Sequence, residues 1–140
     1  MVGVPALSML CSKVEAANVV YGPLRSLGKD EFLQLPSRAV SPKDAIRDLL
    51  RRAREDAQRG LLNEKAKRVV IARKSSSKPL VGDLLESAAK DAGFDLVCVI
   101  DDSVAAAIAA DRAFTELGDN FVVVNAGASA WSVSAVCRTE

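Results

Sequence analysis

The segment Phe121–Ser134, FVVVNAGASAWSVS, decides the fold of this chain. Its first four residues are apolar, its last four alternate in polarity, and small residues lie between them. Two strands joined by a turn of this kind form a β-hairpin. Because Gly127, Ala128 and Ser129 carry no bulky side chains, their backbone N–H groups can approach an anion closely. The segment therefore predicts a hairpin with the shape of a phosphate-binding loop.

The same hairpin lacks the side chains that phosphate chemistry requires. Asn125 stands where such a loop needs a carboxylate to hold a metal ion or a water molecule. Ala130 and Ser132 follow where a hydroxyl group and an acid would help. The sequence predicts a nucleotide-site architecture without its catalytic groups. The residues expected to contact nucleotide are Asn125, Gly127, Ala128, Ser129 and Ala130.

The composition is that of a globular protein and excludes several kinds of active site. The 140 residues are 49% hydrophobic and 26% charged, which predicts one domain or part of one. The net charge of +1 provides no general attraction to nucleic acid or anionic lipid. We therefore expect neither a specific nucleic acid nor a membrane as partner. The absence of histidine excludes Ser–His–Asp and Cys–His nucleophiles and histidine zinc sites.

The cysteines Cys11, Cys98 and Cys137 are widely spaced and form no Cys-x-x-Cys pair. The last two interrupt apolar strand patterns, which predicts buried, reduced thiols. Reduced thiols are typical of intracellular proteins, and we expect a cytoplasmic one.

From Ser41 onward the hydrophobic pattern predicts alternating helices and strands. Ser41 and Pro42 are N-terminal signals for a helix that Gly60 would end. Continuous apolar strands between helices predict an α/β fold: a mixed sheet, covering helices and a C-terminal hairpin. The α/β region is residues 41–140. The sequence pattern of residues 1–40 is poorly readable and contains one strand candidate, at 32–35. The elements predicted after the first helix are a strand at 68–72, a helix at 79–92 that Gly93 ends, a strand at 95–100, a helix from 101–103, and the hairpin strands 121–124 and 131–137.

Two segments of this region carry longer motifs. In residues 90–111, KDAGFDLVCVIDDSVAAAIAAD, a helix ends in Ala-Gly, a strand follows, and an alanine-rich helix begins. Residues 122–136, VVVNAGASAWSVSAV, contain the hairpin. The first segment is similar to the Asn-Glu-Pro-(Thr/Ser)-Ala-Ala-Ala-Ile-Ala region of the seventy-kilodalton heat-shock chaperones (heat shock protein 70). The second resembles that family's phosphate hairpin, Asp-(Leu/Phe)-Gly-Gly-Gly-Thr-x-Asp-Val-Ser.

The resemblance, which covers roughly residues 41–138, implies a fold and a ligand. The fold is a ribonuclease H-like half-domain, part of an actin-like ATPase lobe. The ligand is ATP or ADP with Mg²⁺, and the biological setting is the stress response.

The functional positions of that family have changed in this chain. Asp102 replaces a glutamate, and Ser103 replaces the proline after it. Residues 1–40 contain no convincing counterpart of the family's Asp-x-Gly-Thr loop or of its catalytic lysine. The resemblance therefore implies a chaperone-related fragment without ATP hydrolysis that acts through protein–protein interaction. In the hairpin, the changed positions are Asn125, Ala128, Ser129, Ala130 and Ser132.

Two other classes of function stay open. One is an active ATPase half-site that further segments or a partner chain complete. An Asp-x-Gly-Thr segment in either place would favour it. The other is a structural subunit that no longer binds any ligand. If nucleotide has no effect on the protein, this class is favoured.

Individual residues also have competing interpretations. Asp101 and Asp102 could hold a metal-bound water, which makes Asp102 the candidate catalytic residue. They could instead cap the helix that follows, which the sequence favours. Residues 127–130 could bind an anion or form an ordinary turn. Trp131 is expected to pack against the protein rather than stack on a ligand.

The expected partners are proteins. Basic residues of the helix at 42–60 are interleaved with acids at i,i+4 spacing, which predicts a self-paired surface rather than an RNA site. A lobe without its neighbour would expose an apolar face, and such faces favour association. We expect a chaperone, a ribosome-linked complex or a second copy of the chain to bind.

Overall fold

The structure is a computed structural model that describes residues 20, 22–29, 31–62, 65–113, 118–126 and 131–138. The chain divides into two compact units. The first unit contains Met1–Val69 and Pro79–Cys98, and the second contains Val70–Lys78 and Val99–Glu140.

The order of elements confirms the predicted alternation of helices and strands from residue 41 onward, so the chain is mixed α/β. A 3₁₀ turn, Pro23–Arg25, and a short hairpin of β1 (Leu33–Leu35) and β2 (Arg38–Val40) come first. The remaining elements are α1 (Pro42–Ala57), a π-helical turn (Gln58–Leu62), β3 (Arg68–Arg73), α2 (Pro79–Asp91), β4 (Leu96–Asp101), α3 (Asp102–Ala113), β5 (Asn120–Ala126) and β6 (Trp131–Cys137).

The described strands form three two-stranded sheets, β1 with β2, β3 with β4, and β5 with β6, where the sequence predicted one mixed sheet. β1–β2 and β5–β6 are antiparallel pairs. Strands that are close in sequence pair at a small cost in chain entropy, so such hairpins form without a larger sheet. The ribonuclease H-like arrangement stays a prediction.

Helix α1 begins where the sequence predicted and ends earlier. Ser41 is its N-cap: the Asp44 amide donates to Ser41 Oγ at 3.0 Å, and Ser41 Oγ donates to Asp44 Oδ2 at 2.7 Å. The α-helix stops at Ala57, and Gly60 lies inside the π-helical turn that follows. Gly60 does not have the positive φ of a glycine cap, so its predicted role as the stop signal is wrong.

The core of the first unit lies between α1 and α2, which pack against each other. At the edge of this contact, Lys43 Nζ lies 2.8 Å from Asp91 Oδ2. The hydrogen bond from Lys43 lowers the pKa of the Asp91 carboxyl. Small side chains let the helices approach closely. The side chains buried on these two helices include Ile46, Leu85, Ala88 and Ala89.

Gly93 ends α2 as predicted, with a φ of 92° in the left-handed region. A Cβ at this position would lie 2.5 Å from Nη1 of Arg54. Arg54 donates from Nε to the Ala66 carbonyl at 3.1 Å and from Nη1 to the Ala92 carbonyl at 3.4 Å. Its guanidinium carbon also lies 5.9 Å from the ring centroid of Phe94. Arg54 of α1 therefore holds two connections in this unit: the one that leads into β3, at Ala66, and the one that leads into β4, at Ala92.

In the second unit, α3 packs against β5 and β6. Phe121 and Val123 of β5 are half-buried, whereas Val122 and Val124 are exposed. Successive side chains of a strand point to opposite faces. Helix α3 therefore packs on one face of the hairpin, and the described side chains of the other face are exposed. The small side chains at the alanine-rich start of α3 let this helix lie close to the strands.

Three expectations about side chains in the strands are wrong. Cys98 and Cys137 are exposed rather than buried, because each occupies an outward-facing position of its strand. Trp131 is 75% exposed and does not pack against the described part of the chain. Cys11 lies outside the described residues.

Candidate functional site

Three segments of the second unit bring polar side chains to one place. Ser75 follows β3, Asp102 follows β4 as the first residue of α3, and Asn125 lies near the end of β5. The side chain of Ser103, which is buried, joins them. We call Ser75, Asp102, Ser103 and Asn125 the Asp102 cluster.

Local structure explains why each segment arrives in this conformation. An acid is stable at the first residue of α3 because the helix N-terminus presents unpaired N–H groups and a positive dipole end. The loop after β3 is closed by a bond from the Ser77 amide to the Lys74 carbonyl at 2.9 Å. This turn directs both the amide and the hydroxyl of Ser75 toward Asp102.

The carboxylate of Asp102 accepts four hydrogen bonds. Oδ1 accepts from the Ser75 amide (3.1 Å), from Ser75 Oγ (2.7 Å) and from the Ser103 amide (2.9 Å). Oδ2 accepts from Asn125 Nδ2 at 2.8 Å. A carboxylate offers about four lone-pair positions. Three of the four bonds fall on Oδ1, so the acceptor capacity of that oxygen is used by the protein itself, whereas Oδ2 carries a single bond.

The orientations of the remaining polar groups follow from these bonds. Ser75 Oγ also lies 2.8 Å from Ser103 Oγ. Since Ser75 has one hydroxyl proton and directs it to Asp102, Ser103 must donate to Ser75. The ionised carboxylate cannot donate, so Asn125 must present its NH₂ group and not its carbonyl oxygen. A directed chain of donors thus ends on Asp102.

These bonds lower the pKa of the Asp102 carboxyl below its usual range. The hydroxyl of Ser75 has the largest effect, and the amides of Ser75, Asn125 and Ser103 act in the same direction. Partial desolvation opposes them. A general base works best with a pKa near the working pH, so the bonded Asp102 is a weak base at pH 7.

A second ion pair lies beside the cluster, at the ends of β3 and β4. Arg73 Nε is 3.1 Å from Asp101 Oδ1. This oxygen is buried and accepts no aligned hydrogen bond, so the contact is mainly electrostatic. Arg73 Nη1 also donates to the carbonyls of Ser77 and Lys78 at 3.1 and 3.3 Å. Arg73 therefore holds the loop in place rather than presenting a free cation.

The structure brings together two of the residues that the sequence singled out, Asp102 and Asn125. Asp102 is the first residue of α3, and its side chain accepts a hydrogen bond from the Ser103 amide in the first turn of that helix. The other predicted nucleotide contacts, Gly127, Ala128, Ser129 and Ala130, lie outside the described residues.

The sequence reasoning missed the role of Ser75. Its hydroxyl belongs to the polar loop that follows the predicted strand at 68–72 and contains three consecutive serines. The available signal was position: Ser75 follows β3 closely, as Asp102 follows β4, and residues after strand ends often line sites in α/β proteins. Ser103 was placed at the start of the third helix and noted as a replacement for proline, but not as a hydrogen-bond partner of Ser75. A serine at this position adds an amide donor, which proline lacks, and a hydroxyl.

The described residues do not fit a Mg²⁺–nucleotide site of the kind that the resemblance implies. Magnesium is usually held by one or two carboxylates together with substrate phosphates. Four donors of the protein already point at the Asp102 carboxylate, three of them at Oδ1, and its neighbour Asn125 is a neutral donor. Across the described part of the chain, no group of three or more Asp, Glu, Cys or His side chains is arranged to hold a metal ion.

Comparisons with protein-family models and with curated proteins give no match to this chain. Of the helices that the structure describes, none has the length and apolar character needed to span a membrane.

Proposed function

We propose that this chain is a heat-shock-70-like nucleotide-binding-domain fragment that does not hydrolyse ATP and acts through protein–protein interaction. The proposal includes the finer fold, a half-domain of the actin-like ATPase type, and a cytoplasmic location. The single observation that carries the absence of hydrolysis is the hydrogen-bonded state of Asp102.

Phosphoryl transfer depends on positioning and on stabilising charge with metal ions and cations. In the resembled family, acids occupy the positions of Asp102 and Asn125. In this chain the second position donates an amide hydrogen bond to the first at 2.8 Å. Two carboxylates at that separation would repel each other unless a cation or a proton lay between them. The pair here is stable without a cation, which supports a structural role.

Ser75 and Ser103 strengthen the same argument. Their hydroxyls and amides supply three of the four bonds to Asp102. To bind a metal ion or activate a water molecule, Asp102 would have to lose some of these donors, and each bond to a charged group contributes about 1.5–3 kcal/mol. A cluster of this kind stabilises the junction of β3, β4 and α3 and opposes catalysis.

Phosphate release from Mg²⁺–ATP tests the proposal. We expect the wild-type chain and Asp102→Asn to release phosphate at the same background rate. The matched control is Asp83→Asn, which removes one charge from the exposed face of α2. Circular dichroism establishes that each variant is folded. Hydrolysis by the wild type that Asp102→Asn abolishes and Asp83→Asn preserves would overturn the proposal and favour an active half-site.

Thermal unfolding with and without Mg²⁺–ATP or Mg²⁺–ADP separates nucleotide binding from hydrolysis. A ligand at a hundred times its dissociation constant adds about 2.7 kcal/mol to the stability of the native state. A higher midpoint without hydrolysis would support a nucleotide-binding pseudo-ATPase. An unchanged midpoint would favour the structural subunit, which keeps the fold and binds only protein.

A further inference from the structure

We infer that the outer face of the β5–β6 hairpin is a self-association surface that packs against the same face of a second copy of this chain. The inference deepens the proposed function, because it names the partner and the surface of a protein–protein interaction. It rests on the exposure, register and chemistry of the hairpin residues.

The register places apolar side chains opposite each other along this face. Val124 pairs with Val133, Ala126 with Trp131, and Val122 with Ala135. At the open end of the hairpin, Asn120 pairs with Cys137. We call the resulting surface the outer hairpin face. Its residues are Asn120, Val122, Val124, Ala126, Trp131, Val133, Ala135 and Cys137, and all of them are exposed.

The exposure of the large side chains is high. Trp131 is 75% exposed, Val133 is 70%, Val122 is 64% and Val124 is 57%. These four side chains present about 400 Å² of apolar surface, if a fully exposed tryptophan offers about 250 Å² and a valine about 110 Å². Apolar patches of about 300–600 Å² are the largest on typical monomers and often mark interaction sites.

The area approaches what a small dimer needs. Two copies packed through these side chains would remove about 800 Å² from water, and the exposed small residues between them add to this area. A specific interface should reach about 1,000 Å². Interfaces at the low end of the size range are typical of weak, transient complexes, so we expect a reversible dimer whose population depends on concentration.

The chemistry of the face favours a second copy over a charged partner. Neither β5 nor β6 contains a charged residue or a proline. A two-fold interface brings a surface against itself, so a charge near the symmetry axis would meet the same charge of the second copy. An uncharged apolar face avoids this repulsion. The hairpin also lacks the lysines and prolines with which proteins protect exposed strands from pairing.

Trp131 provides a direct measurement, because it is the sole tryptophan of the chain. Sedimentation velocity and tryptophan emission would be recorded on the wild-type chain from about 1 to 200 μM. We expect the sedimentation coefficient to rise with concentration, and the emission maximum to shift to shorter wavelength over the same range as Trp131 leaves water.

Two matched variants locate the surface. Val133→Lys places a charge in the centre of the outer hairpin face. Val70→Lys makes the same change on β3, at a position that is 66% exposed. We expect Val133→Lys to weaken dimerisation by at least about tenfold, because a buried lysine must be desolvated, and Val70→Lys to leave it unchanged. Val124→Lys serves as a second variant on the face if Val133→Lys does not fold.

Three outcomes would overturn the inference. A wild-type chain that stays monomeric at 200 μM with solvent-exposed Trp131 excludes the dimer. A monomer in which Trp131 is already protected means that another part of the chain covers the face. Equal weakening by Val133→Lys and Val70→Lys means that association does not use this face. None of these readouts involves nucleotide, so their failure is distinguishable from a failure of the proposed absence of hydrolysis.

Discussion

Replacing Asn125 with aspartate tests the central contact of the Asp102 cluster. The variant Asn125→Asp removes the amide that donates to Asp102 Oδ2 at 2.8 Å and places a second carboxylate there. Loss of a hydrogen bond to a charged group costs about 1.5–3 kcal/mol. Repulsion of two unit charges at 4 Å adds about 1 kcal/mol in a water-like dielectric, which is appropriate for the exposed Asn125. We expect the free energy of unfolding at pH 7 to fall by about 2.5–4 kcal/mol.

The dependence of this loss on pH identifies its cause. In the folded variant, repulsion raises the pKa of one of the two carboxyls above its value in the unfolded chain. The folded state then takes up a proton before the unfolded state does, so the loss of stability relative to wild type shrinks as pH falls through that raised pKa. The protonated carboxyl can also donate to its neighbour and restore the bond.

Urea unfolding between pH 3 and pH 7 provides the measurement, with Asn125→Ala as the matched control. The alanine variant loses the same donor without adding charge, so the difference between the two variants isolates the repulsion. Millimolar Mg²⁺ is expected to restore part of the stability of Asn125→Asp and none of that of Asn125→Ala, because the cation bridges paired carboxylates. Equal stabilities of the two variants at every pH would refute the contact between positions 102 and 125.

Three further predictions concern single residues. Ser75→Ala should lower the free energy of unfolding by about 1–3 kcal/mol in a urea titration, because the Asp102 carboxylate loses a hydroxyl donor. Ser76→Ala, at the adjacent exposed position, should have no effect in the same titration. Gly93→Ala should destabilise by more than about 1 kcal/mol, because of its positive φ and the nearby α1 guanidinium, whereas Gly60→Ala should be neutral or stabilising by thermal unfolding. Because the pKa of Asp102 is lowered in the folded protein, its ionised carboxylate should stabilise the folded state above about pH 4, and this stabilisation should be lost as pH falls through the folded-state pKa. Asp102→Asn should remove this part of the pH dependence of the urea midpoint.

How well the sequence predicted each part of the fold depended on how far apart the interacting residues lie along the chain. Ser41 and Pro42 marked the start of α1, and Gly93 marked the end of α2, because caps depend on residues a few positions apart. Gly60 misled for the same reason: glycine permits a left-handed stop but does not require one, and the helical path continued as a π-helical turn. The C-terminal hairpin was predicted because its strands are neighbours in sequence, but the extent of sheet formation depends on distant strands, so the division into three two-stranded sheets could not be foreseen.

The sequence by itself determined the order of helices and strands from residue 41, the cap at Ser41 and the polar character of Asp102 and Asn125. These properties depend on local spacing and on side-chain chemistry. Only the tertiary structure decided that Ser75, 27 positions away, donates to Asp102, and that α3 leaves Trp131 and its neighbours uncovered. Side chains that are 20 to 30 residues apart in sequence become partners only when strand ends and helices meet in space. Likewise, which face of a hairpin is covered depends on the element that packs against it.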